Sequence, residues 1–187
     1  MARWEPNARG RLEQAALELY SERGYDATTV KEIAQRAGLT ERTFFRHFAD
    51  KREVLFGGTA LQDGLVAALA EVRKDAEPLD AVAAALEAAG EVFDERRELV
   101  KRRQAIIAAH AELQERELIK LAAIGAALAG ALRERGAAEP AASLAAEVGV
   151  AVFKVAYEQW LDGSDARGFT DHLREGFTRL QTLTASA

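Results

Sequence analysis

No cysteine occurs among the 187 residues, which excludes disulfides, thiolate metal sites and cysteine nucleophiles and permits a reducing cytoplasm. Long apolar runs are missing as well. The longest, Leu121 to Leu132, falls far short of the roughly 20 residues a membrane span requires. The first ten residues carry Arg3, Glu5 and Arg9 and no apolar stretch of the secretory kind. A soluble, cytoplasmic protein without a membrane partner is expected. Strand signals are scarce, because Val and Ile are scattered among Ala, Leu, Glu and Arg at spacings of three and four, the helix period. Catalytic constellations are absent too: His47, His110 and His172 fall in separate predicted helices without local ligand partners, and there is no Gly-rich Lys-Ser/Thr loop. Neither a metal, nor a cofactor, nor an enzymatic activity is expected.

What is present suffices for a folded core: 49% of residues are hydrophobic. The formal charge of −5 is unevenly spread, since residues 1–56 hold ten Lys+Arg against nine Asp+Glu, and the acidity lies in the rest. That imbalance is compatible with a nucleic-acid-binding head on an acidic body. The chain reads as all-α, with about nine helices. The first is expected over Asn7 to Arg23, with an apolar stripe of Leu12, Ala15, Ala16, Leu19 and Tyr20 and a stop at Gly24. Thr29 and Glu32 form a capping box for the second, which ends at Gly38; Thr40 caps a third over Glu41 to His47 or Phe48. Asp50 and Glu53 read as another capping box, opening a fourth helix that runs to about Lys74 and is open to a break at Gly57-Gly58. Further helices are expected over about Pro78 to Gly90, Phe93 to Ala109, Glu112 to Arg135, Pro140 to Leu161 and Ala166 to Leu183, with Gly163 and Ser164 in the last turn.

Two short capped helices joined by Gly38-Leu39-Thr40 are the sequence form of a helix-turn-helix. Such a unit sets its second helix in the DNA major groove, with N-terminal residues at base edges. Thr40, Glu41, Arg42, Thr43, Arg46 and His47 are polar positions suited to that role, Arg42 toward guanine and Thr43 toward a thymine methyl. Free N–H groups at the helix starts, Thr29 and Asp50-Lys51, are expected to grip phosphates, with the Lys51 charge added. Each of Thr29 and Asp50 also reads as an ordinary cap.

The run Gly24-Tyr25-Asp26-Ala27-Thr28-Thr29-Val30-Lys31-Glu32-Ile33-Ala34, then Ala37-Gly38-Leu39-Thr40, Thr43-Phe44-Phe45-Arg46-His47-Phe48 and Lys51, resembles the DNA-binding domain of the TetR repressor family. The resemblance covers about residues 9 to 56. It implies a homodimer on double-stranded operator DNA, released when a small-molecule effector enters a C-terminal domain. It makes Thr28, Thr43, Phe45, His47 and Lys51 DNA-facing and Ile33, Ala34, Phe44 and Phe48 core. Two positions depart from the family pattern: Arg42 stands where a small residue is usual, and Phe45 where a tyrosine hydroxyl commonly meets phosphate.

A helix-turn-helix domain over 1–56 and a helical effector-binding and dimerisation domain over 57–187 are therefore expected. In the latter, Leu144, Val148, Ala151 and Val155 line one face of the penultimate helix, and Phe169, Leu173, Phe177 and Leu180 one face of the last. These faces are core or a dimer seam, and the resemblance favours the seam. Candidate pocket residues are Phe93, Arg103, Ile107, His110, Phe153, Tyr157 and Trp160, with an anionic effector if Arg103 points inward. Coupling is expected through the fourth helix, running from Lys51 into the body. An activator, an effector-independent regulator and a helical scaffold remain alternatives.

Overall fold

In the computed structural model, which describes residues 7–163 and 167–185, nine α-helices and no strand occur among the described residues. Local signals explain the first three. The Asn7 side chain accepts the Gly10 N–H and opens α1, Ala8–Arg23. Gly24, at φ 89°, ends it in a conformation that costs glycine little. Both halves of the Thr29–Glu32 capping box form at the start of α2, Val30–Arg36. The Thr40 hydroxyl caps α3, Glu41–His47.

The fourth helix differs from expectation. Asp50 Oδ1 accepts the N–H of Arg52 and of Glu53, but the Glu53 carboxylate turns away to Arg116, so only half of that capping box forms. The chain then makes a single 3₁₀ turn, Glu53–Leu55, after which Gly57 and Gly58 take φ of 64° and 59°. The helix α4 starts only at Ala60 and ends at Glu71. No continuous helix leads from Lys51, so coupling through such a rod is ruled out.

The remaining helices are α5 (Pro78–Asp94), α6 (Arg97–Ala108), α7 (Ala111–Glu134), α8 (Ala141–Asp162) and α9 (Phe169–Ala185). Gly90 does not stop α5. It is buried beside α9, where a methyl group on it would overlap Thr170 Oγ1, so it serves close packing rather than termination. Ser164 and the expected helix start at Ala166 lie outside the described residues.

Two compact units result. The first comprises residues 7–58 together with Lys101–Glu117; the second comprises Thr59–Val100 with residues 118–163 and 167–185. A division at 56/57 does not anticipate the return of Lys101–Glu117. In the first unit α1 packs on α2 and α3, and Leu12, Leu19, Ile33, Phe44 and Phe56 share a core with Ile107 and Leu113. In the second, α5 packs against α4, α8 and α9, and α8 against α9. Phe169, Leu173 and Phe177 are buried there against other helices of their own chain. These three side chains are spent on the core of their own unit. Leu180 is partly buried on the same core.

A close α5–α8 crossing yields a test. A methyl group on Gly149 would sit inside van der Waals contact with Val82 Cγ1, and Val82 is fully buried. Valine in a helix has one favoured rotamer and cannot swing away. Gly149→Ala is therefore expected to destabilise by about 1 to 3 kcal/mol through overpacking, against about 1 kcal/mol of helix propensity gained. Adding Val82→Ala should remove the steric part, so a urea-denaturation double-mutant cycle should show strong non-additivity; additive effects would mean that the helices part freely.

Candidate nucleic-acid interface

The turn between α2 and α3 is a complete Schellman motif. The Leu39 N–H reaches the Ala34 carbonyl at 2.8 Å, the Gly38 N–H reaches that of Gln35 at 3.0 Å, and Gly38 has φ 67°. Arg11, from α1, donates to the Ala37 carbonyl and ties the turn to the first helix. Thr43 N–H then donates to Thr40 Oγ1 at 3.2 Å, setting the start of α3. With Phe44 and Phe48 buried in the core, the period of 3.6 residues turns Arg42 and Arg46 to the opposite side. Phe45 lies on one flank, and the half-buried Thr43 and His47 on the other.

Charge distinguishes this face. Six cations of the first unit are held by carboxylates: Arg9 by Glu13, Arg23 by Glu32, Arg36 by Glu18 and Glu22, Arg52 by Asp50, Arg103 by Glu117 and Arg116 by Glu53. Among the described residues no carboxylate pairs with Lys31, Arg42 or Arg46. All three are exposed, as are Thr29, Thr40 and Glu41. A net charge near zero thus conceals a local excess of positive charge around the third helix.

Other expected contacts are turned inward. Thr28 is buried, and its hydroxyl donates to the Gly24 carbonyl at 2.8 Å. The Lys51 ammonium donates to the carbonyls of Tyr25, Asp26 and Thr28 at 2.8, 3.3 and 3.2 Å and lies 4.2 Å from the centre of the Tyr25 ring. Its three protons are occupied within the protein. Tyr20 reinforces the arrangement by donating its hydroxyl to the Lys51 carbonyl at 2.7 Å. Burial, then a hydrogen bond to Glu112, pushes the Tyr25 phenol above its usual range, so it stays neutral. For Asp50, burial alone would raise the carboxyl, but hydrogen bonds from Arg52 and the Glu53 N–H outweigh it and hold the group below its ordinary value. Of the amides at these helix starts, Glu32 N–H behind Thr29 and those of Arg52 and Glu53 are taken up by their caps.

The pocket candidates separate. Phe93, Phe153, Tyr157 and Trp160 gather with Phe169 in the second unit, ring centres 5.1 to 6.5 Å apart. Trp160 is fully buried, and its Nε1 has no hydrogen-bond partner among the described residues. Arg103, Ile107 and His110 belong instead to the first unit. Ile107 is core; Arg103 donates to the Leu55 carbonyl and to Glu117; His110 Nδ1 lies 2.8 Å from the Ile106 carbonyl, with its ring against Tyr25. Arg103, held by Glu117, offers no free charge to an anionic effector. Phe169 was missed as a member of the cluster because its sequence neighbours suggested a packing face. Among the described residues no group of His, Asp or Glu could hold a metal ion, and no helix is long and apolar enough to cross a membrane.

Comparison with known proteins agrees with this geometry. The family model of bacterial regulatory proteins of the tetR family matches residues 13–56, and that of the MftR C-terminal domain matches residues 76–185. The HTH-type transcriptional regulator TcmR of Streptomyces glaucescens is 46% identical over 82 residues, 43% of this chain but only 36% of TcmR. Two solved structures share the fold over almost the whole length. Thermus thermophilus FadR, a repressor in complex with lauroyl-CoA, is 22% identical with a TM-score of 0.58, covering 92% of this chain and 93% of its own. The complex of SmeT, from Stenotrophomonas maltophilia, with triclosan is 21% identical with a TM-score of 0.61, covering 97% and 91%.

Proposed function

Since the chain belongs to the TetR family of transcriptional regulators, we propose that it is a cytoplasmic, homodimeric repressor that binds a palindromic operator and releases it on taking up an apolar small molecule. The observation that carries the DNA half is α3 itself: Arg42 and Arg46, exposed and without a carboxylate partner among the described residues, project from a helix whose other side is locked by Phe44 and Phe48. Thr29, Thr40, Glu41, Thr43, Phe45 and His47 complete the proposed DNA-facing set, with Thr28 and Lys51 positioning it from behind. Titration of the full-length protein on its own upstream DNA at two salt concentrations tests this. Selective binding should weaken steeply with salt as phosphate contacts release counterions; salt-sensitive but unselective binding would point to a scaffold that has lost base reading.

For the effector, the aromatic group of Phe93, Phe153, Tyr157, Trp160 and Phe169 supports an apolar ligand, and the buried Trp160 N–H supports one hydrogen-bond acceptor on it. Lauroyl-CoA and triclosan, found in the two related structures, are the first probes. Weakening of operator binding by about 5- to 150-fold is the usual range of such coupling. With the fourth helix interrupted, α6 and α7, which each supply residues to both units, are the proposed carriers of the signal.

Two half-sites call for a two-fold dimer. Leu144 and Val155 are 60% and 51% exposed, and with the exposed Ala151 and half-buried Val148 they form one stripe on α8. We assign the seam to this stripe. Charging it, as in Leu144→Glu with Val155→Glu, should shift sedimentation from dimer to monomer without lowering helicity. A variant that still sediments as a dimer would move the seam elsewhere.

A further inference from the structure

We propose that Phe45 recognises the C5-methyl group of one thymine in each operator half-site. The inference rests on the reading of α3 as the helix that enters the major groove and names what one of its residues selects there. Phe45 is 56% exposed, and among the described residues the one ring it meets is that of Phe44, edge-on, with centres 5.5 Å apart and planes at 82°. Single exposed apolar side chains are common on protein surfaces. What distinguishes Phe45 is its company: Arg42 and Arg46, at i−3 and i+1, are exposed cations that no carboxylate holds among the described residues. A face that places a phenyl ring beside two such guanidinium groups combines ion contacts with one apolar contact.

The chemistry of the groove narrows the apolar partner. Every base edge in the major groove presents donors and acceptors, and the thymine methyl is its one apolar group. A phenyl ring has no hydroxyl with which to meet a phosphate oxygen, so its favourable partner is carbon. Ring and methyl both leave water on contact, and the gain is that of burying about one methyl group. Phe45 has only two side-chain torsions, and the edge contact with Phe44 supports one orientation, so little conformational freedom is lost on docking. Arg42 and Arg46 would then fix the register in which that thymine is met.

The test uses the full-length protein and its Phe45→Ala variant, in which the exposed position is changed and the core is left intact. Duplexes are selected from a random-sequence pool with the wild type, and each thymine of the recovered consensus is replaced in turn by deoxyuridine, which removes only the methyl. One position per half-site should then weaken wild-type binding about four-fold, the worth of one buried methyl group. Phe45→Ala should bind the two duplexes equally, while Phe45→Tyr, which keeps the ring, should retain the discrimination. If every deoxyuridine duplex binds as tightly as its parent, or if the consensus lacks thymine, the proposal is overturned and Phe45 rests on the sugar wall. Failure to recover any consensus would overturn the DNA-reading function as well, which separates the two.

Discussion

Replacing Lys51 with methionine is expected to cost the first unit about 2 kcal/mol of stability, while leaving the salt dependence of DNA binding unchanged. The substitution keeps an apolar stem of similar length and removes only the charge. In the structure that charge serves three carbonyls of the turn entering α2, at 2.8 to 3.3 Å, and the face of Tyr25. Hydrogen bonds to a charged group contribute about 1.5 to 3 kcal/mol each when well enclosed; Lys51 is half-exposed, so water makes good part of the loss. With the turn loosened, ordering it becomes part of the binding step, and operator affinity should drop by up to about 30-fold. The salt slope separates this from direct contact. A lysine neutralising a phosphate would lower the slope by about 1 when removed, and such a change would place the ammonium on DNA in the complex.

For Arg42→Ala the pattern should be the reverse. Stability should be unchanged, because the side chain is exposed and touches no carboxylate among the described residues. Operator affinity should fall by about 1 to 3 kcal/mol, the range for one bidentate arginine–guanine contact, and the loss should concentrate at one base pair of each half-site. Binding to a panel of operator variants reads this directly: discrimination at that base pair should relax while the others keep theirs. Equal weakening across the panel would show Arg42 to be a phosphate contact and leave base reading to Arg46 and its neighbours.

How far the sequence could be read depended on the range of the forces involved. The starts and ends of α1, α2 and α3 were legible because Asn7, Thr29, Gly38 and Thr40 act on backbone groups within a few residues. The break after Asp50 was legible only as an option at Gly57-Gly58. Whether Glu53 closes a capping box or bonds Arg116, 63 residues away, depends on tertiary structure that local pattern does not contain. Lys51 shows the same limit. Its position beside the motif suggested an outward charge, whereas the carbonyls that hold it come from residues 23 to 26 positions earlier. On α9, an apolar stripe at helical spacing is the same whether it meets its own chain or another, and Phe169, Leu173 and Phe177 meet their own. Among the aromatic residues, large size marked Phe93, Phe153, Tyr157 and Trp160 for one cluster, but size alone could not show that Ile107 and His110 belong with the first unit.

The return of Lys101–Glu117 to the first unit bears on how the protein is made. Phe56 is enclosed by guanidinium groups of Arg103 and Arg116, each 5.2 Å from its ring centre, and Ile107 and Leu113 complete the core beneath it. The core of the N-terminal unit is therefore complete only with residues 101–117 in place, and these are synthesised after the beginning of the second unit. The second unit is interrupted in turn by the segment it lends. Neither can be excised by a single cut, and a shortened gene ending near residue 58 would yield a reading head with its floor missing.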